Sequence, residues 1–496
     1  MKSVFRIFLL FLLVSSACWA TNQELTTVTS ELTLADFTKA FSSVPECKHD
    51  FKDKSLHTLQ PSPKWRAVSC DAVHQTLDAF DKTFWGEENN DLFVPQRWIG
   101  APVKFFQHPD GPSDYTERYV QKVRIPVEAT VAFVGDIHGS VHALLRNLHR
   151  FVALGWMNND LTFNDNFYLV TLGDYVDRGR WSSEVITLLM MIKMKNWDRC
   201  HLVAGNHETG FVAWKNGFAD ELRAKFGKKD GNRLFNRIHN IFFKRLPVAV
   251  FIQCEEEAIQ CCHGGIEPTY NPRKLLDTYR ALYQSVGPER RCLGLFWNDF
   301  CASDVNGKTT RGDGHIVSGK KHTLNYCSQA GIRMVMRAHQ DQKFGAKLFF
   351  ADNDSEEAER TIEDPKQYQN GPYHWIPVMQ SLDVNQARFP AMLLDHYPVV
   401  THTAAVEARA LSSDCFSTLT TGYFWNEWML EIYDYFLGNS NKEESREGKY
   451  LHIHKTPENS CSQRFVPGMI SEFDCIGFSW RSNIRTQHAL DSEEME

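Results

Sequence analysis

The chain has 496 residues and a mass of 57.1 kDa; it is 43% hydrophobic and 23% charged, with a formal charge of −7. That ordinary globular composition excludes wholesale disorder, a collagen-like repeat and a coiled-coil rod. The acidic balance and a pI near 6.3 count against a general nucleic-acid binder, which needs a basic field over a phosphate backbone.

Thirteen cysteines are too few for a disulfide-stapled miniprotein and many for a chain kept reduced. The N-terminus bears on this. Lys2 and Arg6 lead an apolar run from Ile7 to Val14, followed by Ser15, Ser16 and Ala17. A basic start, a short apolar stretch and a small-residue exit predict a secretory signal over 1–20, cut after Ala20. The run is too short for a bilayer that needs about 20 apolar residues. An uncleaved anchor or a buried N-terminal segment is the alternative. The signal reading makes the protein secreted or periplasmic, with no stable membrane insertion after cleavage. It also leaves 52 basic against 61 acidic residues, hence −9, and twelve cysteines, an even number compatible with disulfides.

Residues 21–125 form an N-terminal extension of unknown role, with mixed helical patterning and a loop-rich stretch from Phe93 to Pro112. From there the texture is that of an α/β domain. Strands are predicted at Val131–Val134, Phe167–Leu172, His201–Ala204, Val248–Gln253, Ala258–Cys262 and Ile332–Met336. Val141, Leu144, Leu145, Leu148, Phe151 and Val152 fall at helical spacing, with Ser140 as N-cap. Residues 351–371 are acidic and polar, an exposed insertion. Trp425, Trp428, Met429, Ile432, Tyr435 and Phe436 mark one face of a further helix. The α/β domain is therefore placed at 126–437, and 438–496 reads as a polar C-terminal extension with an acidic tail.

The loops after these strands share a composition that core packing does not explain. They read Gly135-Asp136-Ile137-His138-Gly139, then Gly173-Asp174-Tyr175-Val176-Asp177-Arg178-Gly179, then Gly205-Asn206-His207-Glu208, then His263-Gly264-Gly265, then Arg337-Ala338-His339. Loops at strand C-termini converge on one sheet edge, where sites form. Carboxylate, imidazole and amide oxygen without obligatory thiolate suit a divalent ion such as Mn2+, Fe or Zn2+. Any one of these residues could be a loop cap; five such elements in order are not explained that way.

In this order the motifs GDIHG, GDYVDRG, GNHE, HGG and RAHQ resemble the phosphoprotein phosphatase (PPP) family of calcineurin-like metallophosphoesterases. Leu295-Phe296-Trp297-Asn298-Asp299 and Arg311-Gly312 add similar elements between the last two. The resemblance implies a β-sandwich flanked by helices, an α+β sandwich within the α/β class. It implies a two-metal centre, with Mn2+ first and Fe or Zn2+ as alternatives. Asp136 and His138 would hold one ion, Asp174 would bridge, and Asn206, His263 and His339 would hold the other. A bridging hydroxide would attack phosphorus directly. Arg178 and Arg311 would bind the phosphate, His207 would protonate the leaving oxygen, and Asp177 would orient His207.

The activity so implied is hydrolysis of phosphomonoesters, on a phosphorylated protein or peptide. A dinucleoside polyphosphate hydrolase or phosphodiesterase on the same fold is the alternative enzyme, and a non-catalytic binding module the alternative to an enzyme. The chain departs from the family in two places. The late strand Val399–Glu407 has no tyrosine beside the phosphate, so phosphoserine/threonine, phosphotyrosine and small-molecule substrates stay open, as does oligomeric state. The 38 positions from Asp136 to Asp174 make a long spacing, which predicts an extended helix or loop near Trp156–Asn166.

Overall fold

The computed structural model describes residues 25–27, 31–41, 66–85, 117–126, 129–254, 257–277, 283–288, 293–301, 303–307, 314–340, 346–349, 386–393, 399–402, 416–421 and 428–435. Helices α1 (Leu34–Phe41) and α2 (Cys70–Trp85) precede β1 (Glu117–Arg124). A β–α–β run follows: β2 (Thr130–Val134), α3 (Val141–Ala153), β3 (Phe167–Thr171), α4 (Ser182–Lys195) and β4 (Cys200–Leu202). Three helices come next, α5 (Gly210–Lys215), α6 (Phe218–Phe226) and α7 (Lys228–Ile241). Then come β5 (Ala249–Cys254), β6 (Glu257–Cys262), α8 (Arg273–Asp277), β7 (Tyr283–Pro288) and α9 (Leu293–Trp297). The rest is β8 (Asp299–Phe300), β9 (Val317–Ser318), α10 (Lys320–Ala330), β10 (Met334–Arg337), β11 (Ala346–Phe349), β12 (Gln386–Leu393), β13 (Val399–His402), β14 (Phe416–Thr421) and β15 (Trp428–Tyr435).

Two mixed sheets carry the site. The first runs β12-β15-β14-β2-β3-β4 and the second β11-β13-β10-β6-β5-β1-β7. In the first, β2, β3 and β4 are parallel, with Val134 opposite Thr171 and Thr171 opposite Leu202. Their ends are therefore level, and the loops leaving them emerge side by side. In the second, β6 and β10 are parallel, with Cys261 opposite Met336, so the loops to His263 and His339 leave the same edge.

The strands β2, β3, β6 and β10 are largely apolar on both faces, and both faces are buried. Ala132, Val134 and Leu169 join one hydrophobic cluster with Phe251, Ala258, Cys262 and Val335 of the second sheet and the flanking helices. The alternate residues, Val131, Phe133, Val170, Ile259 and Met334, are fully buried too. The described strands β2, β3, β6 and β10 are thus covered on both faces, as the predicted helix-flanked sandwich requires.

Two expectations need correction, and the expected loop before Asp174 is present. The segment around Trp428–Tyr435 is a strand, not a helix: β15 pairs antiparallel with β14 (Leu419 opposite Leu430) and with β12 (Phe389 opposite Ile432). Apolar residues three and four apart suit a helix face, but this aromatic and β-branched run suits a strand once two neighbours supply its hydrogen bonds. Trp425 and Phe436 lie outside the described residues. Ser140 occupies the N-cap position of α3, yet its hydroxyl makes no capping bond. The long spacing before Asp174 is taken up by a loop between α3 and β3, closed by a Met157–Phe163 bridge and burying Leu161.

The segment before residue 126 contributes to the core. β1 pairs parallel with β5 and antiparallel with β7. Phe37, Phe41, Val73, Leu77 and Phe80 of α1 and α2 lie in the main hydrophobic cluster. Seven described cysteines, Cys70, Cys200, Cys254, Cys261, Cys262, Cys301 and Cys327, are free thiols. Burial pushes Cys200 and Cys327 up to about 12, so these thiols stay neutral packing groups. Among the described residues no helix is long and apolar enough to cross a membrane. The stretches 93–112, 351–371 and 438–496 lie outside the described residues.

Candidate active site

The site is built from loops locked to one another by backbone. Ile137 N–H and His138 N–H donate to the Asp174 carbonyl (2.9 and 2.8 Å), and Gly139 N–H donates to Tyr175 O (2.9 Å). Gly179 N–H in turn donates to His138 O (2.9 Å). A Cβ on Gly179 would strike that His138 carbonyl, and one on Gly173 (φ +94°) would strike the backbone of Gly205. The loops therefore approach more closely than any side chain permits. Among the described residues only seven non-glycines have positive φ, and five of them are His138, Asp174, Asp177, Arg178 and His339. Backbone strain is concentrated where function was expected.

Asp174 lies at the centre. Its Oδ2 is 3.4 Å from His138 Nε2, 3.2 Å from His263 Nε2 and 3.8 Å from His207 Nε2. Two triads share it: His138, Asp174 and His207 on one side, and Asp174, His263 and His339 on the other, the ligand atoms of each within 4.8 Å of one another. Asn206 Oδ1 is 2.8 Å and His339 Nδ1 3.0 Å from His263 Nε2. Asp136 Oδ1 accepts from His339 N–H (2.9 Å) and lies 3.7 Å from His263 Nδ1. All six expected ligands thus meet in one place, although they come from two sheets.

The donor set fits divalent metal. His138 Nδ1 is held by the Val176 carbonyl (2.7 Å) and His263 Nδ1 by the Leu172 carbonyl (2.9 Å). Each ring, protonated on its outer nitrogen, would then offer its Nε2 lone pair to a bound cation. His138 Nε2 is buried with no hydrogen-bond partner, a state that a bound cation relieves. Asn206 meets the same cluster by either end of its amide. Turned over, its NH2 would donate to His263, His339 and Asp174; oxygen inward, it is a ligand.

A family model for calcineurin-like phosphoesterases matches residues 129–343. Two relatives are each 32% identical over 231 residues, covering 46% of this chain and 68% of the relative: the serine/threonine-protein phosphatase SIT4 of Candida albicans and the serine/threonine-protein phosphatase PP1-1 of Saccharomyces cerevisiae. The chain belongs to the phosphoprotein phosphatase family. A longer relative, the serine/threonine-protein phosphatase BSL2 of Arabidopsis thaliana, is 29% identical over 228 residues, 45% of this chain and 22% of that protein. The family assignment gives the fold as that of a calcineurin-like phosphoesterase.

Within this phosphatase frame the electrostatics divide the side chains. Burial, with the nearby Arg178 guanidinium, drives His138 well below the usual imidazole range, so the ring stays neutral and ligating. Burial opposes ionisation of Asp174, yet positive charge on the imidazoles beside it, His263 and His207 foremost, holds its carboxyl well below the ordinary range. His207 goes the other way: against its burial, Asp174 and Asp177 raise its pKa. Its Nδ1 contacts Asp177 Oδ2 at 2.5 Å, while Asp177 Oδ1 accepts from Phe218 N–H at 2.7 Å. Burial pushes Asp177 up to about 6, opposed by the hydrogen bond from His207. The pair is arranged as imidazolium and carboxylate.

Arg178 is half-buried on the strained turn between Asp177 and Gly179. Its charge acts on both His138 and His207, which places it at the same pocket. Arg311 lies outside the described residues. Glu208 adds a residue to which the motifs assign no ligand or acid role. Its carboxylate, fully buried, accepts from the backbone N–H groups of Gly205 (2.8 Å), Asp174 (2.8 Å) and Tyr175 (2.9 Å). It ties the Asn206–His207 loop to the Asp174 loop. The available signal was a carboxylate inside a metal-ligand motif with no ion of its own to bind.

Proposed function

We propose that the chain is a metal-dependent phosphatase that hydrolyses phosphomonoesters on phosphorylated proteins or peptides. The observation that carries the reading is the shared carboxylate Asp174, with ring nitrogens on either side. Asp136, His138 and Asp174 would hold one divalent ion and Asp174, Asn206, His263 and His339 a second, Mn2+ being the first candidate. When bound, the ions supply polarisation of the phosphoryl group and activation of water near neutral pH. His207, charged and oriented through Nδ1 by Asp177, donates its Nε2 proton to the leaving oxygen. Arg178, with Arg311 as its proposed partner, presents guanidinium N–H groups to phosphate oxygens. The serine/threonine-phosphatase names of the relatives support phosphoserine and phosphothreonine as substrates.

The test is one peptide scaffold carrying phosphoserine, phosphothreonine or phosphotyrosine, assayed with Mn2+ beside diadenosine tetraphosphate and a bis-aryl phosphodiester. Turnover of the phosphopeptides supports the proposal. Turnover confined to the polyphosphate or the diester overturns it. Residues 1–20 are proposed as a secretory signal. A recovered protein that starts at Thr21 supports export, and one that starts at Met1 in the cytosol overturns it.

A further inference from the structure

We infer that Arg337 is a positioning residue that assembles the second metal site, the one proposed for His263 and His339; the inference rests on the metallophosphatase reading. Arg337 ends β10 and is fully buried, an expensive place for a fixed charge. Its guanidinium touches three separate segments. Nε donates to the Gly264 carbonyl, in the residue after His263. Nη1 donates to Gln340 Oε1, in the residue after His339. Nη2 donates to the Asn298 carbonyl (3.2 Å) and lies 3.5 Å from Asp299 Oδ1.

These contacts close a ring around the two imidazoles. Gly264 and Gly265 are also bonded to α9, through Leu295 O (2.7 Å) and Gly294 O (2.9 Å). Gln340 Nε2 donates to Phe300 O and Gln340 Oε1 accepts from Phe300 N–H, both at 3.1 Å. Ala338 N–H donates to the His263 carbonyl (3.1 Å). Asp299 faces His339 Nε2 at 3.9 Å, on the side of the ring away from the Nδ1 that meets His263. One planar fork thus fixes the residue after each histidine and the carboxylate behind one of them. An ammonium cannot do this, because its three donors leave a single point.

The inference does not reach the first site. The guanidinium contacts described above go to the Gly264, Gln340 and Asn298–Asp299 segments, which flank the second site. A structural role alone would weaken both ions; a positioning role weakens one.

The test is calorimetric titration of the chelator-stripped full chain with Mn2+, for the wild type, Arg337→Lys and Gln340→Ala. Gln340 is only half-buried and carries no charge, so its variant folds even if Arg337→Lys does not. The wild type is expected to take up two ions. Arg337→Lys should weaken one of them by about 10–100-fold and leave the other within about threefold. Gln340→Ala should shift the same ion by a smaller factor. The Mn2+ concentration for half-maximal phosphatase activity should rise in parallel, with turnover restored at high Mn2+. Two ions of wild-type affinity in Gln340→Ala, or equal weakening of both ions in either variant, overturns the inference. A wild-type chain that binds no Mn2+ overturns the metallophosphatase reading itself, and the inference with it.

Discussion

Gly205 stands where three demands meet. A Cβ there would collide with the amide and carboxylate of Asp174 and lie 2.8 Å from Glu208 Oε2. Asp174 is the residue that both triads share, so its displacement disturbs every ligand pair at once. Gly205→Ala should lower kcat/KM for an aryl phosphate by about 100-fold or more, the scale of a misplacement near 1 Å. Gly155 is the control. Its φ of +73° also disfavours alanine, but its Cβ would meet nothing within 4 Å. Gly155→Ala should cost about 1–2 kcal/mol in thermal unfolding and leave turnover unchanged. Equal activity in the two variants would show that the close approach of the loops has no bearing on catalysis. The glycines, like the Asp, His and Asn ligands, were legible because motif and chemistry coincide in them. Glu208 and Arg337 were not, since Glu208 acts on backbone N–H groups and Arg337 on carbonyls and on the Gln340 and Asp299 side chains, all of which only the fold brings within reach.

At the scale of elements, strands that end in ligand-bearing loops were readable from the sequence. β2, β3, β4, β6 and β10 fall within two residues or so of their predicted ranges, because a short apolar run followed by a polar turn has few other solutions. β15 was not readable, since its apolar spacing fits either state and only β12 and β14 decide between them. The joint between α1 and α3 was also invisible, and it carries a pH-dependent contact. Thr38 Oγ1 donates to Leu34 O (2.8 Å), so it must accept from His149 Nε2–H, also at 2.8 Å. Burial lowers His149 to about 4, against about 6.5 in the unfolded chain. Between those values the unfolded state takes up a proton that the folded state refuses, so stability falls as pH drops from about 6.5 towards 4. With allowance for partial exposure the loss is about 1–2 kcal/mol. His149→Gln keeps a donor for Thr38 and removes the titration. Urea unfolding at pH 7 and pH 4.5 should show a smaller drop for this variant than for the wild type. An identical drop would remove His149 from the acid response.

Across the whole molecule, the proposed centre is where the two sheets meet. Asp136, His138, Asp174 and Asn206 follow strands of the six-stranded sheet, and His263 and His339 follow strands of the seven-stranded one. The segments before residue 126 reinforce the same body, with β1 inside the second sheet and α2 packed on α4 and α7. An ion held by both sets of ligands therefore binds only the folded chain, and its binding free energy adds to stability as RT ln(1 + [L]/Kd). At 100 times Kd that is about 2.7 kcal/mol per site. Mn2+ added to the chelator-stripped protein should raise Tm, with the rise growing with the logarithm of its concentration. Mg2+, which dehydrates reluctantly and prefers oxygen ligands, should raise it less at equal concentration. Asp174→Asn keeps the size of the side chain but removes the charge that both triads share, and it should abolish most of the shift. The same variant without metal should unfold below the wild-type temperature, because the surrounding imidazoles hold the Asp174 carboxyl well below its ordinary range and the folded state therefore favours the carboxylate. A full Mn2+ shift in Asp174→Asn would mean that the ion binds elsewhere and that the two sheets are not joined through this carboxylate.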